Sequence, residues 1–128
     1  QLTPMVLVMG VIVGLMITAI LVVNNLRDIK TDRNSGKRTL AVMIGEHNTR
    51  WEYAFLLAGA YAIPAFLWLG DFASAWLLLP LATLPLAFWQ VRLIRQPSDG
   101  PALNHLLAKT AKLAFCYSVL LAIGLILS

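Results

Sequence analysis

The sequence has 128 residues, of which 59% are hydrophobic and only 12% are charged, and its mean hydropathy is +0.77. Soluble domains carry about 25% charged residues, so this composition excludes an ordinary soluble domain and indicates an integral membrane protein. The formal net charge is +4. The bias of Lys and Arg toward the cytoplasmic side of membrane segments explains this excess, so it does not indicate a nucleic-acid partner.

Four apolar stretches predict an all-α protein with four transmembrane helices. They cover about residues 2–26, 51–69, 72–94 and 103–127. A run of about 20 apolar residues is enough to cross the hydrocarbon core of a bilayer. Pro64 lies inside the second span, and Pro80 and Pro85 are expected to break the third, because proline cannot donate a backbone hydrogen bond.

The basic residues predict the orientation of these spans. Six of them lie between the first and second spans, four flank the connection between the third and fourth, and none lies on the other side. The positive-inside rule therefore places both polar connections in the cytoplasm and both chain ends outside. We expect an integral protein of a bacterial inner membrane, with the connection at 27–50 facing the cytoplasm.

The end of the first span carries a spaced set of polar side chains. Asn24, Asp28 and Asp32 lie four residues apart, so a helix places them on one face, each one turn from the next. Two stacked carboxylates repel each other unless a cation lies nearby. Mg²⁺ binds one or two carboxylates together with phosphate oxygens, and Lys37 and Arg38 follow at once to suit those phosphates. The pattern predicts a metal and phosphate site.

A simpler interpretation of the same residues remains open at this point. A solvated helix next to the membrane could carry these acids paired with Arg27, Lys30 and Arg33, since such surface pairs are common. The residues that follow favour a pocket instead. Gly36 is expected to end the acidic helix, and the apolar segment 39–45 is too short to span, which predicts a helix at the interface or over a cavity.

The motif has a counterpart among known proteins. Asn24-x3-Asp28-x3-Asp32-Arg33-x2-Gly36-Lys37-x-Thr39-Leu40-Ala41-x3-Gly45 resembles the second aspartate-rich motif of the UbiA-type membrane prenyltransferases. Within them it is most similar to the 1,4-dihydroxy-2-naphthoate polyprenyltransferases of menaquinone synthesis. The resemblance implies a bundle of nine transmembrane helices with one aspartate-rich motif in each half. The four spans would be its last four helices, so residues 1–128 would form the C-terminal part of one prenyltransferase domain.

The resemblance also implies an activity. A polyprenyl group would pass from polyprenyl diphosphate to 1,4-dihydroxy-2-naphthoate with loss of CO₂ and diphosphate, giving demethylmenaquinone. Asp28 and Asp32 would be the catalytic residues and would hold Mg²⁺. Contacts with the diphosphate would come from Asn24, Arg33, Lys37 and Arg38. The first aspartate-rich motif is absent from these 128 residues, so the resemblance implies a fragment that needs the missing N-terminal half and is inactive alone.

Other functions remain open on the sequence. The acceptor could be another aromatic compound, such as 4-hydroxybenzoate or homogentisate. A small four-helix transporter or membrane interaction module would use the polar connection only as an anchor. An acid in the middle of a span would favour a transporter, and none of the predicted spans has one. Lys109 and Lys112 could bind diphosphate or the acceptor carboxylate, but interfacial snorkelling explains them as well. His47 and His105 are isolated, which indicates ordinary interfacial placement.

Overall fold

A computed structural model describes residues 3–128 as an all-helical chain. Its elements are α1 (Pro4–Arg27), α2 (Ile29–Asn34), α3 (Leu40–Leu69), a 3₁₀ helix (Ala75–Thr83), α4 (Leu84–Arg95) and α5 (Gly100–Leu127). No strand occurs within residues 3–128. Four segments are long and apolar enough to cross a membrane: Pro4–Arg27, Leu40–Leu69, Ala75–Arg95 and Gly100–Leu127. The prediction of an all-α protein with four such helices is confirmed. The predicted start of the first span, at residue 2, lies outside the described residues.

Short polar residues start three of these helices. The Thr3 hydroxyl accepts a hydrogen bond from the backbone N–H of Val6, and Thr39 and Asp99 cap α3 and α5 in the same way. Such side chains satisfy backbone donors that have no partner inside the helix. The chain therefore specifies the starts of α1, α3 and α5 locally.

The regular backbone is interrupted where glycine and proline occur. Gly45 has φ 84° and ψ 167°, a conformation that is essentially restricted to glycine, and it separates the turn Leu40–Ile44 from the rest of α3. Helical structure thus begins at residue 40, well inside the predicted connection 27–50. In the third membrane segment, the 3₁₀ helix contains Pro80, and Pro85 lies in the first turn of α4.

The core lies where α1 packs against α3 and α5, and where α5 packs against the 3₁₀ helix. Ile12, Met16, Leu57 and Tyr117 are fully buried there. Gly124 permits the closest approach in this core, because a Cβ atom at this position would lie 2.3 Å from the carbonyl oxygen of Trp76.

Three tyrosines in the membrane segments are buried and hydrogen-bonded. The Tyr53 hydroxyl lies 3.0 Å from Oε1 of Gln90 and 2.8 Å from Oγ1 of Thr110, which joins α3, α4 and α5. Tyr61 bonds to the Thr83 hydroxyl at 2.6 Å, and Tyr117 donates to a backbone carbonyl of α3. Polar cross-links of this kind contribute to helix association in a bilayer, where apolar burial alone does not drive it.

Replacing Gly124 with alanine tests the packing between α5 and the 3₁₀ helix. The added methyl group would clash with backbone at Trp76, so the helices must separate, and we expect the free energy of unfolding to fall by about 1–3 kcal/mol. Thermal unfolding in detergent measures this loss. Gly10→Ala is the matched control, since no heavy atom lies within 4 Å of its added Cβ. Equal stability of the Gly124→Ala and Gly10→Ala proteins would contradict the packing described.

Candidate functional site

The candidate site is built on the junction between α1 and α2. The helix axis is interrupted at Asp28, which has φ −94° and ψ 5°. The backbone N–H of Asp28 still donates to the carbonyl of Asn24 at 3.2 Å, and that of Asp32 to the carbonyl of Asp28 at 2.8 Å. Asn24, Asp28 and Asp32 therefore keep the one-turn spacing that the sequence predicts, across the break between the two helices.

The Arg27 guanidinium joins three side chains at this junction. Its Nε donates to Oδ1 of Asp28 at 2.8 Å, and its Nη2 donates to Oδ2 of the same carboxylate at 2.9 Å. Nη2 also donates to Oδ1 of Asn24 at 2.8 Å. Nη1 donates to Oδ1 of Asn104, in the first turns of α5, at 2.8 Å. A bidentate fork of this kind is among the stronger ionic hydrogen bonds in proteins.

This ion pair stabilises the ionised form of Asp28. The hydrogen bonds from Arg27 lower the pKa of the Asp28 carboxyl below its ordinary value, and they outweigh partial burial, which acts in the opposite direction. Asp28 is therefore ionised at neutral pH. Each carboxylate oxygen has two lone pairs, so the fork leaves acceptor capacity on both oxygens.

Asp32 lies in a different environment from Asp28. Asp32 is only 9% exposed, and its Oδ2 is buried without a hydrogen-bond donor among the described residues. The Lys37 ammonium lies 3.7 Å from its other oxygen, Oδ1. Gly36 makes this approach possible, because its φ of 76° turns the chain back and lets the N–H of Lys37 donate to the Asp32 carbonyl at 2.9 Å.

The apolar segment 39–45 borders a cavity together with α1 and the start of α3. Ala41 is 1% exposed, whereas Leu40 and Met43 remain exposed. Between this segment, α1 and the start of α3 lies a cavity of about 170 Å³. Its lining combines apolar and polar side chains: Thr18, Leu21, Val22, Asn25, Leu40, Ala41, Thr49 and Glu52.

A second cavity of about 160 Å³ lies on the other side of α1, between Arg27, Lys30 and the start of α5. Arg50 forms part of its wall and donates to the backbone carbonyls of Ile94 at 2.6 Å and Gln96 at 3.1 Å. These carbonyls end α4 and have no helical partner, so Arg50 closes that helix end. Its role is to hold the connection between α4 and α5 against α3.

The other basic residues considered for the site, and the two isolated histidines, are more dispersed. Arg33 and Arg38 are exposed and form no ion pair within the described residues. Nζ of Lys109 lies 4.1 Å from the centre of the Trp89 ring, a cation–π contact that favours the interfacial interpretation. The remaining three side chains are exposed: Lys112, His47 and His105.

Asp28 and Asp32 are the two residues at the junction that could hold a magnesium ion. Residues 3–128 contain no cluster of three or more His, Cys, Asp or Glu side chains suited to a metal. Mg²⁺ does not need one, since it commonly binds one or two carboxylates and takes its other ligands from phosphate and water. The buried Oδ2 of Asp32 without a donor is the observation that supports this fit, because buried polar atoms are nearly always partnered.

Two contributors to the junction were not identified from the sequence. Asn104 lies 77 residues from Arg27 along the chain, and no local pattern connects them. Arg50 is one of six basic residues between the first two spans, and its role as a helix cap depends on how α4 ends. The charge pattern did indicate pairing of the acids with Arg27, but the partner of Asp32 is Lys37 rather than Lys30 or Arg33.

Comparison with known proteins gives consistent matches. A family profile described as the UbiA prenyltransferase family matches residues 1–119. The 1,4-dihydroxy-2-naphthoate octaprenyltransferase of Escherichia coli (strain K12) is 40% identical over 115 residues, which cover 90% of this chain and 37% of that protein. The protein of the same name from Mycobacterium leprae (strain TN) is 35% identical over 122 residues, covering 95% of this chain and 40% of its own length.

The matches extend to animals. The human UbiA prenyltransferase domain-containing protein 1 is 36% identical over 122 residues, which cover 95% of this chain and 34% of that protein. No solved structure matches the chain. The chain thus spans two-fifths or less of the length of these relatives. With nearly all of its residues covered by the family profile, the chain belongs to the UbiA prenyltransferase family.

Proposed function

We propose that the chain is the C-terminal part of a membrane prenyltransferase and supplies one wall of its active site. The substrates would be a polyprenyl diphosphate and 1,4-dihydroxy-2-naphthoate, and the product demethylmenaquinol, the reduced form of demethylmenaquinone. The names of the bacterial relatives support this choice of acceptor. On this proposal the chain is inactive without the N-terminal half, which would carry the other aspartate-rich motif.

The observation that carries the proposal is the arrangement of Asp28, Asp32 and Lys37 at the end of a membrane-spanning helix. Two carboxylates lie one turn apart. That of Asp32 has a buried oxygen with no donor within residues 3–128, and its other oxygen lies 3.7 Å from the Lys37 ammonium. This combination suits a diphosphate head group accompanied by a divalent cation, while the apolar prenyl tail remains in the bilayer. The same combination has no evident use in a simple membrane anchor.

Asp28 and Asp32 would hold the Mg²⁺ ion, which when bound neutralises the negative charge on the diphosphate. Lys37 is placed to contact the same phosphates, because its ammonium already lies beside Asp32. Arg33 and Arg38 are exposed nearby in the chain and can add positive charge. Asn24 keeps its side-chain amide group for a further hydrogen bond, since Arg27 uses only its carbonyl oxygen.

The chemistry requires charge stabilisation and the exclusion of water. Cleavage of the allylic C–O bond sends its electron pair to the diphosphate and leaves a carbocation. The ring carbon that carries the carboxylate attacks this cation, and CO₂ then leaves while its bonding electrons restore the aromatic ring. The cations held beforehand at the junction stabilise the departing charge. The apolar segment 39–45 would shield the carbocation from water.

The roles of Asp28 and Asp32 can be tested in the intact protein that carries this chain. We expect Asp28→Ala and Asp32→Ala each to reduce Mg²⁺-dependent prenyl transfer by about a hundredfold or more, because preorganised charge at the diphosphate is lost. Prenylated product is measured in membranes with a radiolabelled prenyl diphosphate. Asp71→Asn is the matched control, since Asp71 is exposed in the turn between the second and third membrane segments. Wild-type turnover in either alanine variant would remove that residue from the site.

The acceptor can be tested by comparing aromatic compounds as substrates. With 1,4-dihydroxy-2-naphthoate labelled at its carboxyl carbon, we expect one CO₂ released for each prenyl group transferred. We expect 4-hydroxybenzoate and homogentisate to give little product under the same conditions. Transfer to 4-hydroxybenzoate at an equal rate would instead assign the protein to another acceptor, while leaving the diphosphate site intact.

The proposed orientation, with the junction in the cytoplasm, predicts a labelling pattern. Cys116 is the single cysteine, so a Cys116→Ser protein provides the background for new cysteines. In intact cells a membrane-impermeant maleimide should label Ser128→Cys and should label Gln96→Cys only after permeabilisation, both positions being exposed. The reverse pattern would place the junction outside the cell.

A further inference from the structure

Arg27 connects the candidate site to a distant helix. Its guanidinium uses four of its five N–H groups, on Asn24 and Asp28 in its own segment and on Asn104 in α5. All four bonds measure 2.8–2.9 Å. A planar, rigid fork can satisfy these directions together, whereas a lysine ammonium is a single point of charge.

We propose that Arg27 and Asn104 form a brace that fixes the direction of the Asp28 carboxylate, so that Arg27 is a positioning residue for the binding of Mg²⁺ and diphosphate. This inference rests on the proposed function, because it takes Asp28 as part of a magnesium diphosphate site. Arg27 itself acts through Asp28 and is not assigned a contact with the substrate.

The backbone at Asp28 explains why a brace is needed. Asp28 lies at the break between α1 and α2, and its ψ of 5° departs from regular helical geometry. The α2 segment that follows has only six residues. A short helix after a break does not by itself fix the direction of a side chain at the junction. The fork from Arg27 supplies that direction, and Asn104 in turn holds Arg27 against α5.

The brace is compatible with a bound cation. The fork occupies one lone pair on each oxygen of Asp28, which leaves further lone pairs for a metal ion. Asp32, one turn further on, has an oxygen without a donor in the part of the chain that the structure describes. The two carboxylates therefore have separate supports: Asp28 is held by Arg27, and Asp32 by burial and Lys37.

The brace contributes little to the stability of the bundle itself. The side chains of Arg27 and Asp28 are 27% and 34% exposed, and ion pairs with this degree of exposure are weakly stabilising. The helices are cross-linked elsewhere by the Tyr53, Gln90 and Thr110 cluster. Loss of the brace should therefore change ligand binding more than folding, which makes a positioning role distinguishable from a structural one.

The test uses the intact protein in detergent, with inorganic diphosphate as the probe. Mg²⁺ is titrated at a fixed diphosphate concentration, and binding is followed by calorimetry, while unfolding temperature and the kcat of prenyl transfer are measured in parallel. We expect Arg27→Lys to raise the half-saturating Mg²⁺ concentration about tenfold, and Asn104→Ala about threefold since it removes one bond of four. The kcat at saturating Mg²⁺ and the unfolding temperature without ligand should change much less.

Two further variants sharpen the result. Arg92→Lys makes the same chemical change at an exposed position in the last turn of α4, and should leave the Mg²⁺ titration unchanged. The double variant Arg27→Lys with Asn104→Ala should bind no more weakly than Arg27→Lys alone, because both changes break one connected path.

Several outcomes would overturn the inference. A Mg²⁺ titration of Arg27→Lys within twofold of wild type would do so, as would tighter binding, which would mean that Arg27 competes with the metal. A lower unfolding temperature and kcat with an unchanged titration would make Arg27 merely structural. If the wild-type protein shows no Mg²⁺-dependent binding of diphosphate, the proposed function fails and the brace fails with it. If the wild-type protein binds diphosphate with Mg²⁺ and Arg27→Lys binds it equally well, the brace is overturned and the proposed function is not.

Discussion

The ion pair between Arg27 and Asp28 is the interaction on which the arrangement of the candidate site depends. Charged groups are costly within hydrocarbon, so a membrane helix that ends in a charged motif must satisfy those charges where it leaves the bilayer. Arg27 does this with a single side chain, which pairs with the Asp28 carboxylate and donates hydrogen bonds to the side chains of Asn104 and Asn24. Asp28 can thus follow the first membrane helix directly with its charge paired.

Two glycines then fold the chain back over this charged end. Gly36 ends α2 with a left-handed residue and returns Lys37 to Asp32, while Gly45 releases the turn Leu40–Ile44 from the axis of α3. Neither backbone conformation is readily available to other residues. The result is a short apolar segment that lines a cavity together with residues of α1 and the start of α3.

The membrane-embedded part of the bundle is held by different means. Buried hydroxyl and amide groups of Tyr53, Gln90 and Thr110 connect α3, α4 and α5, and Gly124 lets α5 approach the 3₁₀ helix closely. These contacts lie away from the charged junction. The bundle and the junction therefore have separate supports.

The sequence by itself determined the helical class, the four membrane segments and the acidic motif with its one-turn spacing. These features depend on local composition and helical period, which can be read along the chain. Tertiary structure decided that Lys37 rather than Arg33 reaches Asp32, and that Asn104 and Arg50 join the surrounding framework. Each of these depends on a left-handed turn or on a contact between residues far apart in sequence. Side-chain pairing over such distances follows from how the helices pack. The pattern of charges along the sequence does not specify this pairing.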